Sequence, residues 1–169
     1  WARFVIDLQR ALAGREWSRA SAVVGPLRAT KAPEEIELLQ RAADAVDAVA
    51  LAMRDRPFAG RREIDVHREL VERMLEAGHQ AANFAIVAVG ENAASPHHEP
   101  GERVIRDGEI VLCDFGGTRD GYCSDITRMF HVGPAPSEIV DTYAVLHEAN
   151  AAGVKAARVG AGAQDVDRA

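Results

Sequence analysis

Two aspartates near the middle of the sequence carry the clearest chemical signal. Asp114 and Asp125 lie in two strand-like runs that are joined by a turn containing Asp120. If the turn is centred on Arg119 and Asp120, the hairpin register places Asp114 directly opposite Asp125. Opposed side chains have Cβ atoms roughly 4.5–5.5 Å apart, and two ionised carboxylates at that distance repel each other unless a cation lies between them. This pairing therefore predicts a metal site with Asp114 and Asp125 as ligands.

A small change in the hairpin register gives a different interpretation of the same residues. If the turn moves by one residue, Asp125 points to solvent as an ordinary surface charge. In the first register, Asp114 shares a face with Ile110 and Leu112, and an unpaired charge beside apolar side chains is costly. That cost favours the metal site, but the spacing alone leaves both interpretations open.

A histidine in a polar loop is the second candidate. His97 follows Pro96, after a short apolar run that is predicted to form a buried strand. Loops carry functional residues disproportionately, and an imidazole can bind a metal or polarise a carbonyl group. Two adjacent histidines in a polar loop are more often simply solvated, so the residue type alone does not assign a role. His97 is therefore a candidate catalytic residue, and His98 is a weaker one.

The two cysteines are predicted to be unlinked. Strand alternation puts Cys113 on the face opposite Asp114, and it puts Cys123 on the face of Asp125. A disulfide requires Cβ atoms about 3.5–4.5 Å apart, which such a placement disfavours. Carboxylate ligands do not by themselves call for a thiolate as well. Cys123 is therefore interpreted as a neighbour of the site and not as a ligand.

Hydrophobic periodicity and turn signals predict the elements that position these residues. An amphipathic helix begins at Pro33 and ends before Pro57, and Gly78 caps a second helix. In chain order, the predicted elements are helices over 33–56 and 62–77, a buried strand over 83–90, hairpin strands over 109–116 and 122–132, and a helix from 137 to about 158.

Composition and charge disfavour several classes of protein. The 169 residues are 47% hydrophobic and 27% charged, as expected of one ordinary globular domain with a real core. The net charge of −6 gives no reason to expect nucleic acid, which proteins bind through basic patches. No apolar run approaches the roughly 20 residues of a membrane span, and the first residues do not resemble a secretory signal. We therefore expect a cytoplasmic protein with no membrane partner.

Three motifs occur in order along the chain: SPHH at 95–98, RDGEIVLCDFG at 106–116 and GYCSDITR at 121–128. Together they closely resemble the pita-bread metallopeptidases, which include prolidases, Xaa-Pro aminopeptidases and methionine aminopeptidases. The resemblance also takes in residues 27–36 and 78–90, so it spans most of the chain. The residues of the third motif look more like those of the proline-specific branch than those of the methionine branch.

The resemblance implies an α+β pita-bread (creatinase/aminopeptidase) fold, in which helices back a curved antiparallel sheet and the second half is truncated. By resemblance, Asp114 and Asp125 match the two aspartate ligands of a pair of divalent metal ions, which would be Mn, Co or Zn. His97 matches a histidine that contacts the substrate, whereas the family's remaining histidine and two glutamate ligands match nothing here. Residues 1–30 are then a connector from a preceding domain, and 31–169 are the first part of an incomplete catalytic domain.

The implied function is metal-dependent hydrolysis of proline-containing peptides at Xaa-Pro bonds by the full-length parent, acting as an aminopeptidase or a dipeptidase. We expect the parent to form a homodimer, and we expect the chain alone to be inactive because its ligand set is incomplete. The alternative is a noncatalytic member of the same fold that serves as a binding module. Retention of Asp114, Asp125 and His97 favours enzyme ancestry.

Overall fold

A computed structural model describes all residues from Trp1 to Ala169. The predicted buried strand, hairpin and long helices are all present. The helices are α1 (Ala2–Ala11), α2 (Ser21–Ala29), α3 (Pro33–Arg54), α4 (Glu63–Glu76), α5 (Ser137–Ala156) and α6 (Ala163–Asp167). The strands are β1 (Ala81–Val89), β2 (Ile110–Arg119), β3 (Tyr122–Cys123) and β4 (Ile126–His131), and a 3-10 helix (Gly90–Ala94) follows β1.

Local chemistry explains where the two central helices begin and end. α3 begins at Pro33 and carries Glu34 and Glu35 in its first turn. An N–H at the first position of a helix has no acceptor within the helix, so proline, which lacks this group, is well tolerated there. The negative charges of the two glutamates complement the positive end of the helix dipole. α4 is followed by Gly78, whose φ of +93° is in the left-handed region that commonly ends a helix. The predicted ranges of both helices are confirmed.

The sheet is antiparallel, and β2 is the strand that pairs on both sides. β1 lies along one edge of β2, and β3 and β4 lie along the other. Asp114 in β2 has Ile86 of β1 and Thr127 of β4 as its neighbours. Ser124 and Asp125 separate β3 from β4, so the second edge is interrupted close to Asp114.

The tip of the hairpin differs from the predicted turn by one residue. Arg119 pairs with Tyr122, so the turn consists of Asp120 and Gly121 and not of Arg119 and Asp120. The φ angles of Asp120 and Gly121 are +52° and +82°. A two-residue hairpin turn with positive φ at both positions favours Asp-Gly, whereas an arginine is uncommon in that region. Turn chemistry therefore sets the register.

The hydrophobic core lies between one face of the sheet and the helices α3 and α4. Val111, Cys113 and Phe115 of β2 are fully buried in it. Because side chains alternate along a strand, Asp114 points to the opposite, open face. The helices contribute Val46, Val49, Ala50, Met53, Val66, Leu70 and Met74 to the core.

The chain divides into two compact units, Trp1–Gln40 and Arg41–Ala169. The first unit contains α1 and α2, and the second contains the sheet and all the candidate site residues. The assignment of residues 1–30 as a connector and of 31–169 as part of a catalytic domain stays a prediction. None of the helices combines the length and the apolar character required to cross a membrane.

Candidate functional site

Asp114 and Asp125 are not directly opposite each other, and the predicted pairing of the two aspartates is wrong. β2 and β4 pair Asp114 with Thr127 instead. The turn lies one residue further along, as in the alternative interpretation, and Asp125 is exposed, as that interpretation expected. Each partner moves by two positions, however, so Asp125 keeps the side-chain face of Asp114. Asp125 is therefore the diagonal neighbour of Asp114, and Cα atoms so related lie roughly 7–8 Å apart.

The pattern of burial around Asp125 supports its placement on the open face. Ser124 and Ile126 are buried, whereas Asp125 and Thr127 are exposed. The interrupted segment thus keeps the alternation of a strand, although it is not part of β3 or β4. Asp125, Thr127 and Asp114 consequently share one side of the sheet.

The two carboxylates are more accessible than the sequence suggested. Asp114 is half-buried and Asp125 is exposed, so burial of unpaired charge does not by itself require a counter-ion. The hydroxyl of Thr127 donates a hydrogen bond to Asp114 Oδ1 at 2.9 Å. This bond restricts rotation of the Asp114 carboxylate on the open face.

The chemistry of these donors fits a hard divalent cation. Carboxylate oxygens suit ions such as Mn²⁺ and Mg²⁺, and both aspartates supply them. No group of three or more His, Cys, Asp or Glu side chains comes together to hold a metal. The pair therefore supplies two donors of suitable type, and a bound ion would need further ligands in addition to Asp114 and Asp125.

His97 lies outside the sheet, in the loop that follows the 3-10 helix. Its side chain is exposed, and its backbone has a φ of +58°. Positive φ is uncommon in residues other than glycine, although histidine adopts it more often than most. Such a conformation persists where surrounding contacts hold it. The contacts around this loop converge on one buried carboxylate.

That carboxylate belongs to Glu63, in the first turn of α4, which is 1% exposed. Glu63 Oε1 accepts hydrogen bonds from Val89 N at 3.0 Å and Asn92 Nδ2 at 2.9 Å. Glu63 Oε2 accepts from His98 Nε2 at 2.9 Å and Gly101 N at 3.2 Å. A carboxylate can only accept, so Nε2 of His98 carries the hydrogen. The four donors belong to the end of β1, the 3-10 helix and the loop that follows it. Glu63 therefore holds the chain on both sides of the segment 95–100, which contains His97 and His98.

Two opposing effects determine the pKa of the Glu63 carboxyl group. Burial raises the pKa, because a charged group is poorly solvated in the protein interior. The four hydrogen bonds, of which the one from Asn92 is the largest contributor, together outweigh burial. The pKa of Glu63 is therefore lower than its ordinary value, and the group is ionised at neutral pH.

The sequence did not point to Glu63 or to its contact with His98. In sequence, Glu63 is one of several acidic residues in the first turn of a helix, as Glu34 and Glu35 are. Its partners lie between 26 and 38 residues further along the chain. Local patterns do not encode a contact of that range, so only the tertiary fold identifies it.

Both cysteines are free thiols, as predicted. Cys113 is buried in the core and Cys123 is exposed. Burial raises the pKa of Cys113 to about 12. Cys123 Sγ lies 3.9 Å from Thr118 Oγ1 on the outer part of the hairpin. The fold is therefore compatible with the prediction that Cys123 is a neighbour of the metal site and not a metal ligand.

Solved structures and curated proteins resemble this chain over most of its length. The crystal structure of a dipeptidase from Pyrococcus horikoshii superposes with a TM-score of 0.90 at 35% identity and covers 99% of this chain and 47% of that one. Dipeptidase PepE from Mycobacterium ulcerans gives a TM-score of 0.83 at 34% identity, with 88% and 40% covered. The Xaa-Pro dipeptidase of Pyrococcus furiosus is 30% identical over 154 residues, which are 90% of this chain and 44% of that protein.

Residues 37–169 match Metallopeptidase family M24, and the chain belongs to this family. The expected pita-bread fold, an antiparallel sheet backed by helices, is confirmed by the structural similarity. The chain spans less than half the length of the proteins that it resembles.

Proposed function

We propose that this chain is part of a metal-dependent peptidase that hydrolyses peptides at Xaa-Pro bonds. The observation that supports the proposal best is the pair of aspartates, Asp114 and Asp125, on one open sheet face of an M24 chain. The name of the P. furiosus relative, Xaa-Pro dipeptidase, supports the specificity for proline. The similar proteins include both dipeptidases and Xaa-Pro aminopeptidases, so the proposal covers dipeptides and longer peptides as substrates.

Asp114 and Asp125 would hold a pair of divalent ions together with ligands outside this pair. When bound, such ions supply Lewis-acid polarisation of the scissile carbonyl group and activation of a water molecule. Of the proposed ions, Mn²⁺, Co²⁺ and Zn²⁺, Mn²⁺ suits a donor set rich in carboxylates best. The Thr127 hydroxyl keeps one oxygen of Asp114 in a fixed direction, which favours a defined coordination geometry.

His97 would contact the substrate from the loop beside the sheet. Its imidazole is exposed, and Glu63 fixes the backbone on both sides of it through Val89 and Gly101. An imidazole N–H can donate a hydrogen bond to a peptide carbonyl oxygen and stabilise the negative charge that develops there. Because these contacts hold the loop backbone, less of the chain has to be ordered when the substrate binds.

Steady-state kinetics of the full-length protein that contains this chain tests the proposal. Asp114→Asn and Asp125→Asn keep the side-chain size and remove the charge, so each should lower kcat/KM for an Xaa-Pro dipeptide by about 100-fold or more. His97→Ala should lower kcat by roughly 10- to 1,000-fold. Cys123→Ser, which alters an exposed residue of the same hairpin, is the matched control and should retain activity.

Two results would contradict the proposal. Full activity of Asp114→Asn and Asp125→Asn would show that the carboxylates are not metal ligands. Peptide binding without turnover by the unaltered full-length protein would identify the noncatalytic binding module instead.

The homodimer, which rests on the resemblance to the family, and the cytoplasmic location, which rests on the composition of the sequence, also remain proposals. Light scattering of the full-length protein tests the first, with twice the chain mass as the expected result. Cell fractionation tests the second. A monomer at micromolar concentration or recovery outside the cytoplasmic fraction would contradict them.

A further inference from the structure

A buried histidine lies beneath the segment that carries Asp125. His79 is 3% exposed and follows Gly78, directly after α4. His79 Nε2 lies 2.9 Å from Ser124 Oγ, and His79 Nδ1 lies 3.0 Å from the carbonyl oxygen of Met74. The proposed peptidase mechanism gives this side chain no role.

The carbonyl group of Met74 determines the direction of these hydrogen bonds. A carbonyl oxygen can only accept, so His79 Nδ1 carries the hydrogen. In the neutral ring Nε2 is then an acceptor, and the hydroxyl of Ser124 donates to it. The alternative acceptor for this hydroxyl, Gly117 O, lies further away at 3.3 Å. The Ser124 oxygen in turn accepts from Gly117 N at 3.3 Å. His79 therefore orients the hydroxyl of Ser124.

Ser124 lies where the edge of the sheet is interrupted, next to Asp125. A backbone hydrogen bond from Ser124 N to Gly117 O, 2.9 Å long, ties this segment to β2. The approach is so close that a Cβ at Gly116 would lie 2.1 Å from Ser124 O. A Cβ at Gly117 would lie 3.0 Å from the ring of His79. Two glycines thus allow the histidine, the serine and β2 to meet.

We propose that His79 is a positioning residue whose hydrogen bond to Ser124 directs the adjacent Asp125 carboxylate toward a divalent metal ion. The inference rests on the proposed role of Asp125 as a metal ligand. One peptide unit joins Ser124 to Asp125, so a rotation of the Ser124 backbone changes the direction of the Asp125 side chain. The buried bond resists that rotation from the core side of the sheet, where solvent does not compete for it.

Two conservative replacements separate the two hydrogen bonds of His79. In His79→Gln, the terminal amide reaches the position of Nε2 and can keep a hydrogen bond with Ser124. In His79→Asn, the shorter amide reaches the position of Nδ1, keeps the bond to Met74 and loses Ser124. Both replacements are polar and fit the same space, so a purely structural role predicts similar effects from both.

Titration of the metal-free, full-length protein with Mn²⁺, followed by the EPR signal of the free ion, measures the effect. His79→Asn should weaken Mn²⁺ binding about 10-fold, whereas His79→Gln should retain affinity within about 2-fold. The visible absorption spectrum of the Co²⁺-loaded protein reports ligand geometry, so it should change in His79→Asn and not in His79→Gln. Equal Mn²⁺ affinities of the two variants would overturn the inference.

Ser124→Ala provides a second test that does not depend on the stability of His79→Asn. Removing the hydroxyl should weaken Mn²⁺ binding about 10-fold, and adding His79→Asn should weaken it no further, because the histidine acts through the serine. Additive effects of the two substitutions would overturn the inference.

Asp125→Asn distinguishes failure of the inference from failure of the proposed function. Unchanged Mn²⁺ affinity in Asp125→Asn would refute the metal-ligand role itself. Weaker binding in Asp125→Asn together with unchanged binding in His79→Asn would refute only the positioning role of His79.

Discussion

Replacing Glu63 by glutamine should destabilise the folded protein because one half of a buried acceptor becomes a donor. The new amide can keep its oxygen toward Val89 N and Asn92 Nδ2, as Oε1 is now. Its NH₂ group then occupies the place of Oε2, which accepts from Gly101 N and His98 Nε2. Two donors then face each other at Gly101, beside a side chain that is itself almost completely buried.

The hydrogen bonds that change in Glu63→Gln determine how much stability is lost. An unsatisfied buried donor costs about 1–3 kcal/mol, and the Glu63→Gln variant has at least one, at Gly101 N. The bonds that remain lose the assistance of a negative charge, which makes them roughly half as strong. We therefore expect the free energy of unfolding to decrease by about 3 kcal/mol at neutral pH.

The same carboxylate predicts how this difference depends on pH. The pKa of Glu63 in the folded protein is lower than its ordinary value of 4.5, so ionised Glu63 stabilises the fold. That contribution is fully present above about pH 4.5 and is lost as the pH falls through the lower folded-state pKa. The difference between the unaltered protein and Glu63→Gln should therefore be constant near neutral pH and shrink in acid.

Urea-induced unfolding followed by circular dichroism at pH 7 and at about pH 4 measures both quantities. Glu99→Gln is the matched control, because Glu99 lies in the same loop and is exposed. That variant should change the free energy of unfolding by less than about 0.5 kcal/mol. A loss below about 1 kcal/mol in Glu63→Gln, or a loss that grows in acid, would refute the reasoning.

Three further predictions follow from the same structure. Gly116→Ala should decrease the free energy of unfolding by about 2–3 kcal/mol, because the added Cβ would lie 2.1 Å from Ser124 O. Gly101→Ala is the control: it has open space around it and should cost less than about 1 kcal/mol. Thermal unfolding compares the two variants, and equal losses of stability would contradict the packing argument. At pH 8 a thiol reagent should label Cys123 and not Cys113, because burial keeps the Cys113 thiol protonated. Mass spectrometry of a digest locates the label, and label on Cys113 would contradict the prediction. The 169-residue chain alone should hydrolyse an Xaa-Pro dipeptide negligibly with added Mn²⁺ or Co²⁺, because it brings together no group of three metal-binding side chains. Turnover equal to that of the full-length protein would show that the chain contains a complete site.

Elements with a strong local signal could be predicted from the sequence. α3 follows from apolar periodicity between a proline at its start and a proline after its end, and α4 follows from apolar periodicity that stops at a glycine. The hairpin follows from two strand-like runs around a glycine-rich turn. The placement of Asp114 and Asp125 on one face also follows from alternation, and it is insensitive to the one-residue error in the turn because the partner moves by two positions.

What sequence reasoning missed has two different physical causes. The turn at Asp120 and Gly121 was visible in principle, since Asp-Gly suits positive φ at both positions and Arg119 does not. The contacts made by Glu63, and the contact of His79 with Ser124, were not visible, because they join residues 26–45 positions apart. Such contacts depend on how helices pack on the sheet, and a buried glutamate or histidine has the same local sequence signal as an exposed one.

The location of bound metal tests the central claim most directly. Crystals of the full-length protein grown with Mn²⁺ and measured at the manganese absorption edge give anomalous peaks at the ion positions. We predict peaks roughly 2.0–2.6 Å from carboxylate oxygens of both Asp114 and Asp125. Ordered Mn²⁺ elsewhere in the protein, with neither aspartate coordinated, would contradict the account.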